Sequence, residues 1–133
     1  MSRCLIIINP VSGGGRARRY VMELQWQLSA LFDRLEVKFT RQAGDATQFA
    51  IDASNEGFDA IFCMGGDGTI NETVNGIVKA GCRAKFGFIP LGTVNDMSRA
   101  LGIPLQPLEA IHGLKHSTIR HVDVGRCNDS FFC

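Results

Sequence analysis

Three short loops rich in glycine and polar residues each follow an apolar run, and this arrangement constrains the fold more than any other feature. These runs form the predicted strands of residues 4–8, 59–64 and 86–89, in which Asp59 is the only charged residue. The continuous β-branched run of residues 4–8 is typical of a strand that is covered on both faces. Each loop leads into a segment that predicts a helix. Strand–helix alternation with connections this short predicts an α/β fold with a mostly parallel sheet and helices on both faces.

The remaining periodicities complete this pattern. Apolar residues at positions 21, 24, 28 and 31 predict a helix over residues 16–32, with Trp26 packed against the sheet. Alternation over residues 35–39 predicts a strand. Further helices are predicted over residues 46–55, from Thr69 or Ile70 to Lys79, and over residues 95–101 and 107–113, with strands over residues 119–125 and from Ser130. In such sheets ligands bind outside the carboxyl ends of the strands, where the three loops lie.

Composition narrows the class of protein. The 133 residues suit one domain, and 45% apolar with 20% charged residues is ordinary for a globular chain. A net charge of +1 gives no argument for a nucleic-acid partner. No apolar run approaches the roughly 20 residues of a membrane helix, and no secretory signal is seen. The five cysteines are scattered without a Cys-x-x-Cys pair, which argues against a metal or disulfide framework. Three of them stand in apolar runs and are predicted to be reduced core cysteines. We therefore predict a cytoplasmic protein.

The first loop, residues 9–16, reads Asn-Pro-Val-Ser-Gly-Gly-Gly-Arg. Glycines let backbone N–H groups approach a phosphate closely, and the start of a helix adds a favourable dipole. Arg16 could add a charge-assisted contact. The loop matches neither the Walker A pattern nor Gly-x-Gly-x-x-Gly. A plain glycine-rich turn explains the same residues, so this loop alone leaves phosphate binding open.

The second loop, residues 65–69, reads Gly-Gly-Asp-Gly-Thr and runs into Ile-Asn-Glu. The carboxylate of Asp67 repels phosphate unless a cation lies between them, and Mg²⁺ prefers carboxylate and phosphate oxygens. Asn71 and Asn75 share one face of the predicted helix. Capping of the helix by Asp67 or Thr69 would explain one polar residue but not the whole run. We therefore favour a functional loop here.

Three further polar positions belong to the same sheet edge or to a strand near it. Asp96 lies in the third loop, residues 90–96, although capping of the next helix explains that loop equally well. Thr40 ends the second strand, where an ordinary strand-end threonine is the favoured interpretation. Asp123 stands inside an apolar strand, where a buried acid needs a partner, a metal or a raised pKa. A solvent-facing Asp123 is the alternative.

Taken in order, the three loops resemble the signature of diacylglycerol kinase catalytic domains. That signature reads Asn-Pro-x-Ser-Gly, then Gly-Gly-Asp-Gly-Thr-x-Asn-Glu-x-x-Asn-Gly, then Pro-x-Gly-Thr-x-Asn-Asp, and it stands here at residues 9–13, 65–76 and 90–96. The resemblance implies a three-layer Rossmann-like domain, similar to those of phosphofructokinases and NAD kinases, over residues 1–133. It also implies a lipid kinase that uses ATP and Mg²⁺. Family members have a second, β-rich domain that this chain lacks, so the chain is expected to be the ATP-binding half.

The resemblance also implies the site. The nucleotide contacts carried over from the family pattern are Asn9, Pro10, Val11, Ser12, Gly13, Thr40, Gly66, Asp67, Gly68, Thr69, Ile70, Asn71, Glu72 and Thr93. Asp67, Asp96 and Asp123 correspond to an acidic network linked to Mg²⁺ and water. The implied partners are a lipid substrate such as diacylglycerol and, transiently, the inner membrane surface; a homodimer is compatible with the family.

Two alternatives stay open. NAD kinases share the Gly-Gly-Asp-Gly loop, although Asn9-Pro10 and residues 92–96 argue against that class. A stand-alone nucleotide-binding or regulatory module gains weight if the natural protein ends at Cys133.

Overall fold

The computed structural model describes residues 2–11 and 17–90, together with the backbone of two strands near the carboxyl end. In chain order the elements are β1 (Arg3–Ile8), α1 (Ala17–Ser29), β2 (Arg34–Phe39), α2 (Asp45–Asn55), β3 (Ala60–Gly65), α3 (Asp67–Lys79), β4 (Lys85–Pro90), β5 (Gly125–Cys127) and β6 (Ser130–Phe132). The predicted alternation is confirmed as far as β4, as is a strand from Ser130. The helices predicted over residues 95–101 and 107–113, and nearly all of the strand predicted over 119–125, lie outside the described residues.

The first four strands form one parallel sheet in the order β2-β1-β3-β4. From β1 the chain passes to β2 on one side, and it then returns to build β3 and β4 on the other side. The direction of winding therefore reverses between β1 and β3, and the carboxyl ends of these two strands flank the place where sheets of this type bind ligands. β5 and β6 pair with each other in antiparallel fashion.

Strand β1 shows how the sheet is covered. Leu5 and Ile7 pack into the core beneath α2 and α3, whereas Cys4, Ile6 and Ile8 pack into the core beneath α1. All five side chains are at most 1% exposed, and full burial of a leucine or isoleucine is worth about 1.5–3 kcal/mol. One helix on one face and two on the other confirm the predicted three layers.

Two glycines permit close contacts, one between the helices α2 and α3 and one between the strands β3 and β4. A Cβ atom at Gly76 would lie 2.4 Å from the backbone oxygen of Thr47 and 2.7 Å from the Cβ of Ala50, both on α2. A Cβ atom at Gly87, on β4, would lie 2.4 Å from the ring of Phe62 on β3. Any side chain at Gly76 would therefore separate the two helices.

The amino edge of the sheet is held by hydrogen bonds between side chains and backbone. The Ser2 N–H donates to Asp33 Oδ2 at 2.9 Å, and the Asp33 N–H donates to Ser2 Oγ at 3.0 Å. The Arg3 N–H donates to Asp59 Oδ2 at 2.8 Å. The bond from the Ser2 backbone, followed by that from its hydroxyl, stabilises the charged carboxylate and lowers the pKa of Asp33.

The outer side of α1 differs from the prediction. Trp26 is 71% exposed and does not pack against the sheet. The helix buries Leu24 and Leu28. Trp26 is two positions from each of them, and in a helix with 3.6 residues per turn this places it on the opposite side. The helix also ends at Ser29, not at residue 32, so the half-exposed Leu31 lies beyond the helical stripe.

The described cysteines are free thiols. Cys4 and Cys63 are buried in β1 and β3, as predicted, and this burial raises the pKa of each thiol to about 12. Cys82 is exposed in the turn after α3. None of the helices that the structure describes is long and apolar enough to cross a bilayer.

Candidate functional site

A cleft of about 580 Å³ opens at the carboxyl edge of the sheet, beside the reversal between β1 and β3. Its walls are the residues after β1, the residues after β2 and the first turns of α3. The lining residues are Asn9, Pro10, Val11, Thr40, Arg41, Gln42, Ala43, Ala46, Gly68, Thr69 and Glu72. The structure thus brings the described part of the first loop, the second loop and Thr40 together around one space.

Asn9 joins three elements at the base of the cleft. Its backbone N–H donates to Met64 O at 3.1 Å, which ties the first loop to β3. Its Oδ1 accepts the Val11 N–H at 3.1 Å, and its Nδ2 donates to Thr69 Oγ1 on α3 at 3.5 Å. The side chain of Asn9 therefore fixes the first loop against the second loop.

Helix α3 begins at the cleft. Its N-cap is Gly66 in an extended conformation, and no side chain caps the helix. The helix thus begins two or three residues before the predicted start at Thr69 or Ile70, and the N-cap role considered for Asp67 or Thr69 is wrong. The N–H groups of the first turn of a helix have no acceptor within the helix, and the positive end of its dipole favours an anion. The start of α3 is therefore suited to phosphate.

Gly68 occupies the first turn of this helix and is exposed to the cleft. A Cβ atom built at Gly68 would meet no other atom within 4 Å. Glycine inside a helix is less favourable than alanine by roughly 1 kcal/mol, and packing does not explain its use here. The missing side chain leaves the start of the helix accessible to a ligand.

Thr40 connects the end of β2 to the end of β1. Its N–H donates to Ile8 O at 2.8 Å, and its hydroxyl lies 3.5 Å from the same oxygen. The residue is partly buried and lines the cleft. Thr40 therefore extends the sheet by one backbone bond and places a hydroxyl beside the cleft.

The loop of residues 41–44 contributes Arg41, Gln42 and Ala43 to the wall of the cleft, and sequence reasoning did not assign it to the site. Asp45 Oδ2 accepts the Arg41 N–H at 2.8 Å and the Gln42 N–H at 3.2 Å. Glu72 Oε1 accepts the Gly44 N–H at 2.8 Å. The sequence signal was the position of these residues, directly after Thr40 at the same sheet edge and before a helical pattern.

The other predicted contacts have different surroundings. Ile70 is fully buried in the core beneath α2 and α3, so only its backbone can serve a ligand. Asp67 is half-buried at the start of α3, and Asn71 is exposed. Six predicted residues lie outside the described part of the chain: Ser12, Gly13, Arg16, Thr93, Asp96 and Asp123. Within the described part, no three His, Cys, Asp or Glu side chains come together as a metal site.

The sequence model of the diacylglycerol kinase catalytic domain matches residues 3–127 of this chain. The chain belongs to that family. The predicted resemblance is thereby confirmed.

Other members of the diacylglycerol kinase catalytic-domain family are similar over the whole chain. A protein of Bacillus subtilis strain 168 named diacylglycerol kinase is 38% identical over 133 residues, which cover 99% of this chain and 44% of that protein. A diacylglycerol kinase of Staphylococcus aureus is also 38% identical, over 98% of this chain and 41% of that protein. The crystal structure of a diacylglycerol kinase from Bacillus anthracis str. Sterne superposes with a TM-score of 0.87 at 34% identity, covering 98% of this chain and 45% of that one. This chain therefore spans less than half the length of these relatives.

Proposed function

We propose that this chain is the nucleotide-binding part of a lipid kinase that uses ATP and Mg²⁺ to phosphorylate a lipid hydroxyl. The cleft carries the proposal, because the signature residues Asn9, Gly68 and Thr69 line it together with Thr40. The acceptor class, diacylglycerol or a related lipid, rests on relatives that are named diacylglycerol kinase.

The proposed phosphate site is the start of α3. Phosphoryl transfer depends mainly on positioning and on neutralisation of charge, so the protein has to hold the phosphates with donors. The first-turn N–H groups of α3 are such donors, and Gly68 leaves room for an anion to approach them. Arg41 is the one cationic side chain among the described residues that line the cleft, and it can add a charge-assisted contact.

Asp67 is the described residue that fits a role with Mg²⁺. It follows Gly66 at the start of α3, where a carboxylate beside phosphate requires a cation between them. A bound Mg²⁺ would neutralise charge on the phosphates. Asp96 and Asp123 complete the proposed acidic network on the strength of the family resemblance.

The lengths of the relatives support the proposal that a further domain completes the lipid site, since the matched region is 44% of the Bacillus subtilis protein. We propose a cytoplasmic kinase that contacts the inner membrane surface transiently to reach its substrate. A homodimer and the absence of a nucleic-acid partner stay predictions.

Calorimetric titration of ATP into the chain, with and without Mg²⁺, tests this function. We expect binding that depends on Mg²⁺, is lost in Asp67→Ala and Gly68→Val, and is retained in Asp52→Ala. Asp52 is the matched control, because it is an exposed acid on α2 that does not line the cleft. Absence of ATP binding, both by this chain and by the chain fused to the remaining region of a full-length relative, would contradict the proposal.

A further inference from the structure

The loop of residues 41–44 is held by hydrogen bonds to side chains of two helices, α2 and α3. Gly44 adopts a φ of +92°, in the left-handed region that glycine enters without steric cost. The loop contributes Arg41, Gln42 and Ala43 to the wall of the cleft. Asp45 supports its first two N–H groups, but the N–H of Gly44 is bound from another helix, by the carboxylate of Glu72.

Packing between α2 and α3 brings Glu72 to this position. The Thr47 hydroxyl on α2 donates to the backbone oxygen of Glu72 at 2.9 Å. Gly76, about one helical turn further along α3, lets the two helices approach closely, since a Cβ atom there would lie 2.4 Å from Thr47 O. The carboxylate of Glu72 thus reaches the start of α2 from a helix that is already fixed against it.

The charge of Glu72 is unsuited to direct contact with a triphosphate, because like charges at short range repel each other. Its Oε1 instead accepts the hydrogen bond of the Gly44 N–H at 2.8 Å, which the length of the glutamate side chain allows it to reach from α3. The signature segment of residues 65–76 would therefore serve the cleft in two ways, through the start of α3 and through the support of the loop of residues 41–44 by Glu72.

We propose that Glu72 is a positioning residue: its carboxylate fixes the loop of residues 41–44 through Gly44 and so shapes one wall of the nucleotide cleft. The structural part of this inference stands on the contacts above, and its consequence for ATP binding rests on the proposed function. The proposal requires reach and an acceptor oxygen at position 72, and it does not require negative charge.

Two substitutions separate reach from charge. Glu72→Gln keeps the side-chain length and an acceptor oxygen but removes the charge, whereas Glu72→Asp keeps the charge and shortens the side chain by one carbon. Amide hydrogen exchange of Gly44, followed by NMR in the ligand-free full chain, reports the support of the loop directly. We expect exchange to accelerate about tenfold in Glu72→Asp and to stay within about twofold of the unaltered chain in Glu72→Gln. Asp52→Ala is the control and leaves Gly44 exchange unchanged.

Calorimetric titration of Mg²⁺-ATP into the same variants provides the second readout. We expect about tenfold weaker binding by Glu72→Asp and near-normal binding by Glu72→Gln. The reverse order, with Glu72→Asp near normal and Glu72→Gln weak, would overturn the proposal and assign the role to charge. Unchanged Gly44 exchange in both variants would also overturn it. If neither the unaltered chain nor its fusion to the remaining region of a full-length relative binds ATP, the proposed function fails, whereas Gly44 exchange still decides whether Glu72 fixes the loop.

Discussion

Gly68 and Gly76 lie about two turns apart on helix α3, and their surroundings are opposite. At Gly76 a Cβ atom would lie 2.4 Å from the backbone of α2, so the fold requires the absence of a side chain. At Gly68 a Cβ atom would meet nothing within 4 Å, although glycine weakens the helix at that position. One glycine is explained by packing, and the other is explained by the space that it leaves in the cleft.

This contrast teaches how to separate stability from function along one helix. A glycine that serves packing should be costly to replace in every assay. A glycine that serves a ligand should be harmless or beneficial to the fold and costly only to binding. Substitution of both positions by the same residue, alanine, makes the comparison direct.

Gly76→Ala should have the largest effect on stability. The added methyl group meets a backbone oxygen that cannot rotate away, and overpacking of this kind costs typically 1–3 kcal/mol. Urea unfolding followed by circular dichroism measures the loss. A cost below about 0.5 kcal/mol, the level of an ordinary surface substitution, would show that α2 and α3 separate easily and would break the comparison.

Gly87→Ala should have an intermediate effect. The new Cβ atom would lie 2.4 Å from the ring of Phe62, but that ring belongs to a partly buried side chain and can shift. We expect a loss near the lower end of the range for overpacking, about 1 kcal/mol. A double-mutant cycle with Phe62→Leu checks the cause, because the double variant should recover part of the loss. If the effects of the two substitutions on the free energy of unfolding are simply additive, the loss in Gly87→Ala does not come from contact with the Phe62 ring.

Gly68→Ala should raise the free energy of unfolding by about 0.5–1 kcal/mol, because alanine favours the helix and meets no clash. The same variant should bind Mg²⁺-ATP more weakly, because the methyl group enters the space beside the first turn of α3. Urea unfolding and calorimetry on one preparation measure both effects. A variant that is more stable and binds as well as the unaltered chain would remove the functional explanation of this glycine.

Asp33→Asn should have the smallest effect on stability. It lies at the amino edge of the sheet, and the glycine variants can be compared with it. The Ser2 hydrogen bonds lower the pKa of Asp33 below its usual 3.8, so the folded state favours the ionised form. The contribution of this carboxylate to stability is therefore complete above about pH 4 and is lost as the pH falls through the lowered pKa. Thermal unfolding from pH 7 to pH 2 should show a small deficit of the variant at neutral pH that vanishes in acid. A deficit that persists at pH 2 would rule out this explanation.

The sequence predicts the scaffold well because the scaffold depends on local patterns. The apolar run of β1 and the glycine-rich loops suffice for a parallel sheet with a ligand edge. The outward Trp26 was mispredicted because apolar character alone does not fix the side of a helix on which a residue lies. The support of Gly44 by Glu72 joins residues 28 positions apart and follows from the packing of two helices, which no local pattern encodes. Asp96 and Asp123 stay predictions of the family resemblance.

The two buried thiols report how often the central strands of the sheet separate. Cys4 and Cys63 lie in the adjacent strands β1 and β3, and each thiol stays protonated at neutral pH because burial raises its pKa to about 12. An alkylating reagent therefore has to wait until these strands separate, whereas the exposed Cys82 can react in the folded chain. Peptide mapping should therefore show that Cys4 and Cys63 are modified at one common rate. That rate is set by how often the central strands separate and not by the reactivity of either thiol.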